Sequence, residues 1–328
     1  MATPSRHTAH TTPRGPAAAR RMLRREIPST AAVLADAQDF AAMRRYRTFP
    51  FDDHTAYLQQ METLLRSLTA QGIHTTVALF DPVAYETFCT DSDLDPDRPD
   101  SRSRYTAELA CTGATLPYTG ESLARLLPVL VDEAERQATW DRATALLART
   151  GACAECGEDL ARAAFARASR AVTSLLDTLG DGTHHLVCSV PASGAPLLAV
   201  LHADSRDGGR LELSEADTLV FCTVLAAGIA LRSPGGIVSR TAGTAGAAGM
   251  TGTVGTGGTA ETAGRDAVRG WLLRDAWLHP LSAAEVFTAY CTDAATGEPV
   301  PPEPGVDHHP GLALPDPPPT DGHDHSHH

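Results

Sequence analysis

Cys153-Ala-Glu-Cys156-Gly157 is the strongest chemical signal in this chain. Two thiolates separated by two residues can grip one tetrahedral zinc, and the glycine lets the backbone turn so that its amides face the sulfurs. A structural zinc site requires two more ligands. His184 or His185 with Cys188 form the nearest candidate pair, with Cys111 and Cys222 in reserve. The same spacing also serves a redox pair or two ordinary reduced thiols, and spacing alone leaves the three open. At the tip of a helical hairpin, the two cysteines could instead offer half a site that a second chain completes.

Other constellations are weaker. Asp91, Asp93, Asp95 and Asp97 alternate like calcium ligands, but an EF-hand loop starting at Asp91 needs glycine sixth and glutamate twelfth, where the chain has Pro96 and Arg102. The expectation there is a solvated acidic loop from Asp91 to Asp100. His202-x-Asp204, at the end of an expected strand, sets an imidazole near a carboxylate, as acid–base work or metal binding requires. Gly255-Thr-Gly257-Gly-Thr-Ala260 has dinucleotide-loop spacing, but it lies in low-complexity sequence with neither the strand nor the helix that the motif needs. The histidines from His323 to His328 would bind nickel or copper loosely, since a floppy tail preorganises nothing. No G-x-S-x-G elbow and no H-E-x-x-H helix occurs.

Two absences remove whole classes of chemistry. All 27 Lys+Arg residues are arginine, and asparagine is missing. There is thus no Walker-type lysine, no Schiff-base lysine and no Cys-His-Asn triad. The net charge is -13, yet residues 1–25 carry six arginines and no acid, so the rest of the chain is more acidic still. An acidic body repels phosphate backbones, which makes nucleic acid an unfavourable partner. The longest apolar-rich stretch, Leu219 to Leu231, falls short of the ~20 residues that span a bilayer. No apolar secretory segment is visible. A cytoplasmic protein with reduced thiols, and without a membrane segment, is the expectation.

The elements that would position these residues follow from periodicity. Residues 1–28 read as a disordered basic arm, with order expected from Ser29. Leu58, Met61, Leu64, Leu65 and Leu68 give a helix from Thr55 to Gly72 one apolar stripe. His74 to Phe80 reads as a buried strand, and Asp81-Pro82 opens a helix carrying Tyr85, Phe88 and Cys89. A helical hairpin is expected over 121–179, with Pro128 in its first arm and the cysteine pair at its bend. A β-hairpin and an apolar helix capped by Ser214 follow over 184–231. The α+β core therefore spans 29–240. The Thr/Ala/Gly run over 241–265 reads as a flexible insertion. A strand and a helix opened by the Ser282–Glu285 capping box complete 266–300, and 301–328 reads as a disordered Pro/His-rich tail.

The segment HHLVCSVPASGAPLLAVLHADSRDGGRLELSEADTLVFCTVLAAGIAL resembles the closing half of a GAF-type sensor domain. That resemblance implies small-molecule sensing or dimerisation rather than catalysis. Taken whole, through stretches such as HTTVALFDPVAYETFCTD, the chain also resembles uncharacterised proteins of high-GC actinobacteria, a resemblance that implies no activity. The functional expectation is a non-enzymatic small-molecule-binding or regulatory module, with a homodimer and a structural zinc as options. Its alternatives are a metal-assisted hydrolase using His202, Asp204 or the acidic loop, and a structural or assembly protein.

Overall fold

Asp36, Asp53, Asp81 and Asp159 each start a helix by the same device. Each carboxylate accepts a backbone N–H of the first turn, from Asp39, Ala56, Val83 and Arg162 respectively, at 2.7–3.0 Å. Every such cap satisfies a donor that the helix leaves unpaired and is worth about 0.5–2 kcal/mol. The computed structural model describes residues 29–154, 157–205, 211–243, 264–293 and 296–315. Its chain is α+β, as expected, and divides into two compact units, up to Gln137 and from Ala138 onward.

The first unit holds a three-stranded sheet in the order β1-β2-β3. Strands β1 (Ser29–Val33) and β2 (Thr75–Leu79) run parallel, with Ser29 opposite Thr75 and Val33 opposite Leu79. Helices α1 (Ala37–Met43) and α2 (His54–Ala70) form the crossover between them. After β2 come α3 (Pro82–Asp91), α4 (Pro99–Thr112) and the antiparallel β3 (Thr115–Pro117). The core is aromatic: Phe40, Tyr46, Tyr57, Phe80, Tyr85 and Tyr105 are buried. The Tyr85 ring lies 5.1 Å from Phe80 and 5.4 Å from Tyr105, and its hydroxyl donates to the Pro96 carbonyl at 2.8 Å.

The acidic stretch is solvent-exposed at Asp91, Asp93, Asp95 and Asp100, as expected, and its Asp95 and Asp97 also bind backbone. Asp97 accepts the Thr48 N–H at 2.9 Å, while its carbonyl accepts the Thr48 hydroxyl at 2.7 Å. Asp95 accepts the Asp97 N–H at 2.9 Å, and its carbonyl accepts from Ser101 at 2.7 Å. Carboxylates next to unpaired backbone donors take those donors first, so the segment becomes a clasp between two stretches of backbone.

Helix α5 (Leu123–Leu147) runs through Pro128 and contains the division between the units. In the second unit, α6 (Leu160–Leu179) and α7 (Glu215–Ala230) lie on one face of a seven-stranded sheet. The strands are β4 (Gly182–Val190), β5 (Leu197–Ser205), β6 (Glu212–Leu213), β7 (Gly235–Thr241), β8 (Asp266–Arg274), β9 (Trp277–Pro280) and β10 (Val306–His308). Their order is β10-β8-β7-β4-β5-β6, with β9 also on β8. Strands β4 and β5 form the expected hairpin, paired from Gly182–Ser205 to Val190–Leu197.

Helix α7 is apolar all round and buried from Val220 to Ile229. A Cβ at Gly228 would stand 2.7 Å from Leu273 and 2.9 Å from Val190, so glycine lets the helix settle against the sheet. On the opposite face, α8 (Ala283–Tyr290), opened by the expected capping box, packs Val286 on Val268 and Val306.

Of two expectations about chain order, one lies mostly outside the described residues and the other changes. The Thr/Ala/Gly run lies mostly outside the described residues, but β7 and β8 on either side of it are paired, with Thr241 opposite Ala267. It therefore joins neighbours in one sheet. The tail expected from Pro301 instead forms β10 parallel to β8, and the Trp271 indole donates to the Leu312 carbonyl at 2.8 Å. An edge position tolerates this segment because its prolines need no ladder on the outer side. Gly311 is required there, since a Cβ would collide with the Gly270 carbonyl. No helix among the described residues is long and apolar enough to cross a membrane.

Candidate binding face

Alternation along β4 decides which candidate residues can meet. His184, Leu186, Cys188 and Val190 point into the core under α6 and α7, while Thr183, His185 and Val187 lie on the other face. His184 and Cys188 stand four residues apart on one strand, about 13 Å along it, and His185 is on the opposite side. The ligand pair expected from His184 or His185 with Cys188 is therefore not brought together.

His184 is buried, and both of its ring nitrogens are occupied. Nδ1 lies 2.9 Å from the Thr241 hydroxyl and Nε2 3.0 Å from the Gly180 carbonyl. This is a satisfied core histidine that ties the start of β4 to the end of α6. Burial, with Cys222 nearby, pushes the Cys188 thiol up to about 12, so it carries no thiolate at neutral pH. Cys153 sits in the turn between α5 and α6, donating its N–H to Glu158 and accepting from Gly157, both at 2.8 Å. Its partner Cys156 lies outside the described residues. Among the described residues, no group of three or more His, Cys, Asp and Glu side chains could hold a metal ion.

The outer face of the β4–β5 hairpin gathers a different set. His185 and His202 stand directly opposite each other, ring centroids 4.4 Å apart and Nδ1 atoms 3.1 Å apart. Two nitrogens at that distance must share a proton, one donating and one accepting. Burial, then His202 and then Arg240, hold the His185 imidazole below its ordinary value, so the neutral ring is favoured. One step along, Asp204 accepts the Thr183 hydroxyl at 3.3 Å. His202 and Asp204, with Thr183, Glu212 and Ser214, line an open depression of about 350 Å³.

On the same face Leu198 and Val200 are 52% and 42% exposed. Beyond β4, opposite His185, β7 contributes Arg240, whose guanidinium binds Asp266 at 2.7 Å and Glu303 at 2.9 Å. Glu303 also accepts the Tyr290 hydroxyl at 3.0 Å. That network fastens the segment before β10 to the sheet.

The edge of β5 completes the arrangement. Strand β6 pairs with it only at Ala203 and Asp204. From Leu197 to His202 the outer edge has no strand partner among the described residues. Alternate backbone N–H and C=O groups along it point away from the sheet. Sequence inspection had a signal for this, because Leu197-Leu198-Ala199-Val200-Leu201 is apolar at consecutive positions and a strand must show some of them outward. The Arg240–Glu303–Tyr290 network had no such signal, since its members lie far apart in the chain.

Comparison with known proteins bears on the other unit. A family model described as Domain of unknown function (DUF8829) matches residues 18–121. No curated protein and no solved structure matches the chain. The matched span ends before α5, so the first unit is similar to a domain of unknown function, and the β4–β5 face lies outside the match.

Proposed function

We propose that this protein is a non-enzymatic binding and interaction module, working in the cytosol through the outer face and free edge of β5. One observation carries the reading: Leu198 and Val200 are held in the open on a strand whose edge, among the described residues, has partners only at Ala203 and Asp204. Exposed apolar side chains beside unpaired backbone groups suit an extended partner, which gains main-chain hydrogen bonds and side-chain burial together. The GAF-type resemblance is in keeping with this reading, because the hairpin and the apolar helix over it build the sheet that presents the face. His185 and His202 border the apolar strip with hydrogen-bonding groups.

A zinc at the α5–α6 turn is a separate proposal resting on Cys153 and Cys156. It would draw its further ligands from elsewhere than His184 and Cys188, and elemental analysis of protein without the terminal histidines decides it.

The binding-face reading is tested by single cysteines in a Cys111→Ser, Cys153→Ser, Cys156→Ser background, labelled with a maleimide in dilute protein. Leu198→Cys and Val200→Cys should react rapidly, Ala199→Cys and Leu201→Cys slowly. Equal, slow reaction at all four positions would mean that the face is covered, and the reading fails.

A further inference from the structure

We propose that the free edge of β5 pairs with the same edge of a second copy of this chain, antiparallel about a two-fold axis through Ala199. This rests on the binding-face reading above and names its occupant.

The argument comes from the strand's own sequence. Leu197-Leu198-Ala199-Val200-Leu201 reads nearly the same in both directions. Antiparallel pairing with Ala199 opposite itself sets Leu197 against Leu201 on the helix-covered face and Leu198 against Val200 on the outer face. A two-fold interface demands this self-complementarity, because each residue must meet its partner's counterpart in both directions. The register is selective. A shift of one residue puts each side chain on the wrong face, and shifts of two set Val200 against Pro196 or Leu198 against His202.

Among the described residues the edge is also unguarded. Natural edge strands are blocked by lysine, inward charges, proline or a bulge. This chain has no lysine, residues 197–201 carry no charge and no proline, and the β4–β5 register continues without interruption. Strand β6 takes over the edge only at Ala203, opposite which the second copy's Ala195 would stand, already outside its strand. With the axis perpendicular to the sheet, both helix layers fall on one side and both histidine pairs on the other. An interface built on so short a strand pair sits at the small end, below about 1,200 Å², so the dimer should depend on concentration.

Sedimentation velocity of the full chain over a concentration series tests this. The wild type should show a monomer–dimer equilibrium. Val200→Asp and Leu198→Arg, both at exposed positions and expected to keep the wild-type circular dichroism, should each weaken it about tenfold or more. Mixing the two variants should restore association, because the introduced carboxylate and guanidinium then face each other across the pair. A wild type that stays monomeric, variants that dimerise like the wild type, or a mixture that fails to recover would each overturn the pairing. A monomeric wild type whose introduced cysteines at 198 and 200 still react rapidly sinks only the pairing. Slow reaction at those positions in dilute monomer sinks the binding-face reading itself.

Discussion

The two units solve the burial problem with different residues. The first packs rings against rings, and two of its buried phenols bond to backbone: Tyr85 donates to the Pro96 carbonyl at 2.8 Å, and Tyr57 accepts the Leu34 N–H at 3.2 Å. The second packs a sheet against helices through small side chains, with Ala164, Ala168 and Ala171 on α6 and Ala226, Ala227 and Gly228 on α7. Rings fill volume and fix orientation, so the first core has few ways to rearrange. Small residues allow close approach of helix and sheet, and they leave the sheet's larger aliphatic side chains to serve both faces. The apolar outer strip of β5 belongs to that second solution.

The largest expected effect falls on the ring core. Tyr85→Ala should cost about 3–5 kcal/mol in denaturant unfolding, as large aromatic truncations do, whereas Tyr85→Phe should cost only about 1 kcal/mol for the lost hydrogen bond. Equal effects of the two would mean that the hydroxyl, not the ring, organises the core.

Next comes the helix–sheet contact. Gly228→Val places carbon where Leu273 and Val190 already stand and should cost about 1–3 kcal/mol. Hydrogen exchange should accelerate in α7 and β4 while β2 keeps its protection. Acceleration spread evenly over β2 and β4 would erase the contrast between the units.

The smallest effect is electrostatic. The Thr48 N–H, above all, holds the Asp97 carboxyl below its ordinary value of 3.8. A depressed carboxyl stabilises above its unfolded value and loses that contribution as pH falls through its folded value. The clasp between Thr48 and Asp97 should therefore loosen only in acid, below about pH 4. An NMR titration of the Thr48 amide should show this step, and Asp97→Asn should remove it. A step near neutrality would point to another group.

The same contrast explains what could be read in advance. Periodicity located α2, β2, α3, α6 and the β4–β5 hairpin, because each has a single buried stripe or a clear alternation, and Asp81-Pro82 and Ser282–Glu285 marked helix starts by local chemistry alone. Helix α4 escaped notice: its N-cap is Arg98 without a side-chain bond, and only Ser101 and Tyr105 are buried. Strand β7, Gly-Gly-Ile-Val-Ser-Arg-Thr, starts on two glycines and borders low-complexity sequence. Strand β10 owes its place to β8 and Trp271, which lie more than thirty residues earlier in the chain. His184 or His185 with Cys188 did not come together for a simpler reason. Adjacent histidines in a strand point to opposite faces, so His184 became a core residue and only His185 reached the surface.

Hydrogen exchange along the β4–β5 hairpin in dilute protein tests the central claim most directly. The account predicts strong protection throughout β4, held between β5 and β7, and rapid exchange at alternate amides of β5 from Leu197 to His202. Uniform protection of those β5 amides in the monomer would contradict it, because the edge would then already be occupied.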